Sequence, residues 1–201
     1  YKALENNDIK SSIYSAIDWI CDMPFSLKPI MIGYDISTTF LRDYNLSSKI
    51  LDVGLKSHPN DPWMLNNRAY VNARANNVIE AEKDMEKLER YNGTLTDSMT
   101  VCKEATKGLI AYRNKDKKTG ERLYQHAINL ADKLKANSKE VKLKAKINMF
   151  REELIYSNYL NFSVLEELEH LHIPENNSSL ILLKEEILEE MEKHNHSIKL
   201  Q

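Results

Sequence analysis

The sequence predicts an all-α chain of antiparallel helical hairpins stacked one on the next. Three observations carry that prediction. Apolar residues recur at helical spacing along almost the whole chain. The segments that show it run about 12–16 residues and are joined by short turns, which forces neighbours to lie antiparallel. Small residues recur in pairs at matching places in successive segments. Composition agrees. Five Gly and five Pro in 201 residues leave little material for the turns of an all-β fold. With 29% charged and 42% apolar residues, the chain suits charged helix faces over a buried core, not disorder.

The elements read as follows. Ile13, Ile17, Ile20 and Cys21 form a first apolar stripe. Breaks are expected at Met23-Pro24, Lys28-Pro29 and Tyr44-Asn45. Ile50, Leu51, Gly54 and Leu55 form the next stripe, closed by His58-Pro59. Pro62 stands where a first helical turn tolerates proline, and a helix carrying Leu65 and Ala69 follows. After Asn76-Asn77 comes a helix carrying Ala81, Met85 and Leu88, ended at Asn92-Gly93. Gly108 marks the next helix, and Asn114 to Thr119 the turn after it. Gly120, Leu123, Tyr124, Ala127, Ile128, Leu130 and Leu134 then line one face. Ser138 to Tyr159 reads as a long helix and Ser163 to His172 as its shorter partner. Beyond Ile173-Pro174, Leu180, Leu183, Ile187 and Met191 make a clean stripe on a last helix. Its charged outer face suits the capping of an array end.

The small pairs set the repeat. Ala69 and Ala81 are twelve residues apart, as are Gly108 and Gly120, and the second pair lies 39 residues after the first. Ser47, Leu51 and Gly54 stand 34 residues before Ala81, Met85 and Leu88. Two helices approach closely where both carry small side chains at the crossing. In these positions the sequence resembles the tetratricopeptide repeat (TPR) family, most clearly from Ile30 to Leu134 and more loosely from Asp8 to Leu171. Arg68 stands where that family usually has an apolar residue, and Gly93 where it usually has proline. The resemblance implies an α-α superhelix, a right-handed TPR-like solenoid. It spans a repeat domain over 1–173 and a capping helix over 177–196. A neighbouring class of helical hairpin array and an ordinary helical bundle are the alternatives.

The resemblance also implies a concave groove lined by the first helix of each hairpin. Trp63, Asn66, Tyr70, Ala73 and Arg74 would face it in one unit. Cys102, Ala105, Leu109, Tyr112 and Arg113 would face it in the next. The expected partner-binding set is Trp63, Asn66, Tyr70, Arg74, Leu109, Tyr112 and Arg113, because Arg and Tyr together suit an extended peptide bearing carboxylates.

Catalysis is not expected. The sequence has no Gly-rich phosphate loop, no HExxH and no Cys-x-x-Cys. His194-Asn195-His196 sits in a polar tail without a third ligand, so neither a metal nor a cofactor is expected. Glu152-Glu153 and Glu189-Glu190 are adjacent on helices, point apart, and read as solvated faces. Cys21 and Cys102 read as buried free thiols, which favours a reducing, cytoplasmic setting. Asn92-Gly93-Thr94 and Asn176-Asn177-Ser178 read as chance glycosylation triplets in an Asn-rich chain. No run of 18 apolar residues exists and no membrane partner is expected. The chain opens with Tyr1 and not Met, which admits a fragment or processed form.

Net charge is −2, yet unevenly spread. Residues 101–151 carry 14 Lys or Arg against five Asp or Glu, and residues 152–201 carry three against 11. Packing of the acidic end against the basic helices of the same chain is expected, with a monomer favoured. Lys115, Lys117, Lys118, Arg122, Lys133, Lys135, Lys139, Lys142, Lys144 and Lys146 could make a phosphate-binding stripe, but no exposed aromatics interleave them and nucleic acid is the weaker reading. The expected function is a protein–protein interaction scaffold or adaptor that binds a partner segment. The alternative is the regulatory helical-repeat portion of a larger protein with an upstream enzymatic or nucleic-acid-binding module.

Overall fold

The computed structural model describes residues 8–134, 139–158 and 162–199. Among them there is no strand. Ten α-helices follow in order: α1 Ile9–Asp22, α2 Leu27–Asp35, α3 Tyr44–Ser57, α4 Pro62–Arg74, α5 Val78–Glu89, α6 Asp97–Arg113, α7 Lys117–Lys133, α8 Lys139–Ser157, α9 Phe162–Glu169 and α10 Ser178–Lys199. A π-helical turn, Ile36–Phe40, extends α2. The chain forms two compact units, Tyr1–Leu95 and Thr96–Gln201.

Capping explains where most helices begin. The side chains of Asp8, Asp43, Asp61, Thr96, Asp116 and Asn177 each accept the N–H three residues on, filling one of the four donors a helix start leaves open. Two expected breaks are corrected by this geometry. Lys28-Pro29 lies inside α2, because Pro29 occupies its third position, where a missing N–H costs no helical bond. Tyr44-Asn45 opens α3; the break falls just before it, at Arg42 and Asp43.

In the first unit α1, α2, α3, α4 and α5 each pack on the next. In the second, α6 packs on α7 and α8, α7 on α8, and α8 on both α9 and α10. The helices that follow the hairpin turns bury the same register. Ser47, Ile50, Leu51 and Gly54 do so on α3, Ala81, Asp84, Met85 and Leu88 on α5, and Gly120, Leu123, Tyr124 and Ala127 on α7.

Ala69 and Ala81 are wholly buried on the packed pair α4 and α5. Gly108 and Gly120 lie on the packed pair α6 and α7, and each makes room for the other helix's tyrosine. A Cβ on Gly108 would fall 2.8 Å from the Tyr124 ring, and one on Gly120 would fall 2.4 Å from Tyr112. The two rings meet with centroids 6.1 Å apart.

The hairpin turns repeat as well. Arg42, Asn76 and Lys115 each take a positive φ immediately before the first residue of a helix's N-cap. The Asn77 N–H donates to the Asn72 carbonyl and the Asn76 N–H to the Ala73 carbonyl. The Asp116 N–H donates to Ala111 and the Lys115 N–H to Tyr112, the same pair of bonds 39 residues on. This is the left-handed C-terminal motif that satisfies a helix's last carbonyls. In the first hairpin the π turn adds a residue, and the Asp43 N–H reaches back six positions to Ser37.

Candidate functional site

The α4 surface of the first unit gathers the most recognition chemistry. Asp61 caps the helix and Pro62 begins it, so Trp63 leaves the first turn pointing outward, 38% exposed. Tyr70 and Arg74 follow at i+7 and i+11, each within about 20° of Trp63 around a helix of 3.6 residues per turn. Asp43 caps α3 and places Tyr44 in its first turn. The Arg74 guanidinium carbon stands 4.2 Å from the centroid of the Tyr44 ring and 5.8 Å from that of Tyr70. Arg74 Nη1 also donates to the Tyr70 hydroxyl at 2.9 Å. Cation–ring contacts of this kind are worth about 0.5–2 kcal/mol each, so the guanidinium is held in one place, on a residue that is partly exposed. An indole, two phenols and a guanidinium offer flat apolar area plus hydrogen bonds, which suits binding.

Other expected site residues go elsewhere. Asn66 is buried, only 4% exposed, and its Oδ1 meets no hydrogen-bond donor among the described residues. Ala73 and Leu109 are wholly buried and Tyr112 nearly so; these residues are consumed by packing and do not form an accessible lining. Cys102 is half-buried, and burial pushes its thiol up to about 11, so it stays protonated. Cys21, expected inside, is exposed at the end of α1.

Arg113 has a different environment from Arg74 despite the matched spacing. Its Nη2 lies 3.1 Å from the Glu152 carboxylate. Arg151 donates to the same carboxylate through Nε at 2.9 Å and Nη2 at 2.6 Å, and its Nη1 is 4.0 Å from Glu186 on α10. Arg151 and Glu152 are each 1% exposed. The reading of Glu152-Glu153 as a solvated face is therefore wrong: Glu152 is a buried ion-pair partner, and Glu153 accepts from Lys117 and from the Tyr112 hydroxyl. Adjacency on a helix did separate the two carboxylates, but each turned toward its own cation instead of water.

The charge blocks meet inside the second unit. Arg113 and Arg151 pair with Glu152, Lys117 with Glu153, Lys146 with Glu167, and Arg151 with Glu186. Lys142 pairs with Asp132. Lys117, Lys142 and Lys146 of the basic stripe are thus paired, while Lys115, Lys118, Arg122, Lys133, Lys139 and Lys144 lie exposed at the surface. Lys135 lies outside the described residues, as do the side chains of His194, Asn195 and His196. Among the described residues no three His, Cys, Asp or Glu side chains cluster as metal ligands, and no helix is long and apolar enough to cross a membrane.

No protein-family model, curated protein or solved structure matches this chain. Its functional reading therefore rests on its own residues. The pairing missed by sequence reasoning had one available signal: Arg68, a cation at a core position, implied a buried acid opposite. That acid is Asp84, on the register where α3 and α7 carry Ile50 and Leu123.

Proposed function

We propose that the chain is a helical-repeat interaction scaffold of tetratricopeptide type, which holds an extended segment of a partner protein against the outer face of α4. The reading rests on one observation: Trp63, Tyr70 and Arg74 share a stripe, and Arg74 is fixed by two tyrosine rings. A pre-positioned guanidinium loses little freedom on meeting a carboxylate, and aromatic and Arg side chains dominate the energetics of recognition surfaces. The recurring hairpin turn and the recurring buried register of α3, α5 and α7 support the repeat assignment. Asn66, Leu109 and Tyr112 drop out of the binding set, and Arg113 acts as a structural ion-pair partner. The scaffold is proposed to act without catalysis or cofactor.

Peptide display against the full chain tests this. Selected peptides are expected to carry Asp or Glu beside an apolar anchor. Arg74→Glu and Trp63→Ala are each expected to weaken them about tenfold or more without altering the helical circular dichroism signal. Peptides that bind both variants as tightly as the parent chain would remove α4 from the site.

A further inference from the structure

The sequence contains one Asn-Gly step, Asn92-Gly93. It lies in the segment between α5 and α6, with both residues exposed and outside regular helix. Other turn asparagines are held by the fold. Asn76 and Asn77 both spend their N–H groups in the α4–α5 turn, and Asn177 Oδ1 accepts the Leu180 N–H. Asn92 has no such restraint: neither its carboxamide nor the Gly93 N–H is engaged by another group of the described chain. Gly93 carries no side chain, so nothing on that residue shields its amide nitrogen from the neighbouring carboxamide.

We propose that Asn92 is a spontaneous modification site, at which the chain deamidates itself with water as the only co-reactant. Hydroxide removes the Gly93 amide proton, and the nitrogen forms a bond to Asn92 Cγ. The Cγ–Nδ2 bond breaks, and the side-chain nitrogen takes a proton from water and leaves as ammonia. The product is a five-membered succinimide. Water then opens it at either carbonyl. Breaking the bond from the ring nitrogen to Cγ leaves an aspartyl residue at position 92. Breaking the bond from that nitrogen to the main-chain carbonyl carbon leaves an isoaspartyl residue. One water enters and one ammonia leaves in total, with no change of oxidation state. Both products add a negative charge between α5 and α6, and the isoaspartyl form also lengthens the main chain there by one methylene.

The test incubates the freshly purified full chain at mildly alkaline pH, beside a synthetic peptide of residues 90–96. The tryptic fragment 91–103 is then followed by mass spectrometry, and isoaspartate by its enzymatic methyl-ester formation. The expected result is a one-dalton gain in that fragment at a rate within a few-fold of the peptide's, faster at higher pH, with an isoaspartyl fraction. Asn92→Gln, which would need a six-membered ring, is expected to abolish it. A folded chain that converts more than tenfold slower than the peptide would overturn the proposal, because the fold would then be holding Asn92 away from attack. Conversion that persists in Asn92→Gln would overturn the site assignment.

Discussion

Arg68 reaches Asp84 through two hydrogen bonds, Nε to Oδ2 at 2.7 Å and Nη2 to Oδ1 at 2.5 Å, and its Nη1 reaches Asp52 at 2.5 Å. The bond to Asp84 holds the guanidinium even more firmly protonated than usual, against the opposing effect of burial. Asp84 itself is buried, so removing Arg68 strands a carboxylate away from water. Arg68→Ala is expected to cost about 3 kcal/mol in urea unfolding. The double variant Arg68→Met, Asp84→Leu is expected to recover most of that, because the matching sites on α3 and α7 are already apolar. A double variant no better than the single would show that the ion pair does more than fill the crossing. Tyr112 gives a residue-scale pH prediction. Burial, reinforced by Glu153, raises its phenol well above the ordinary value of 10. The unfolded chain releases this proton near pH 10 while the folded chain keeps it. Stability is therefore present below that pH and falls above it. Lys117 works in the same direction: Glu153 raises it, so its contribution is present below its ordinary pKa and is lost as pH rises through the folded value. Tyr112→Phe is expected to flatten, without abolishing, the alkaline fall in melting temperature.

At the scale of elements, the αL residue before each second helix is a local cost accepted for a tight hairpin. An L-residue there costs about 1–2 kcal/mol, with asparagine the most tolerant after glycine. Lys115→Gly is expected to stabilise the chain by about 0.5–1 kcal/mol, net of the entropy glycine gains when unfolded. Asn76→Gly is expected to gain less. Thermal melts of the two variants check the order, and equal or reversed gains would mean that Lys115 makes a compensating contact. These turns also mark how far the sequence could be read. Helix positions were legible because 3.6-residue periodicity is a property of each segment alone. The pairs Ala69/Ala81 and Gly108/Gly120 were legible because small residues leave a spacing. It was not visible that the glycines receive Tyr124 and Tyr112 and not each other. Nor was the burial of Asn66 and Leu109 in the expected groove, which depends on helix rotation by a fraction of a turn. Pro29 misled because proline at a third helical position looks the same in sequence as a break.

For the whole molecule, the separated charge blocks raised the question of whether the acidic end serves its own chain or a second copy. Within the second unit α10 packs on α8. Leu180 and Ile187 are wholly buried with Ile147, Phe150, Leu154 and Leu168, and Leu183 and Met191 pack against them. The Arg151 Nη1–Glu186 approach is a long one, 4.0 Å, so this apolar contact, at about 25 cal/mol per Å² buried, is the larger part of what holds α10. The Arg151–Glu186 contact adds a constraint on register more than affinity. Deleting residues 177–201 is thus expected to uncover the apolar face of α8, lower the melting temperature, raise binding of an apolar dye and reduce solubility. The Arg113–Glu152–Arg151 cluster would also open to water from the α10 side, so the loss should grow more in the second unit's hydrogen exchange than in the first's. Sedimentation of both forms is the deciding measurement. A full-length monomer whose truncated form self-associates fits a cap. A full-length dimer that truncation turns into a well-behaved monomer would make α10 an assembly element, and its contact with α8 would then have to be exchanged between copies.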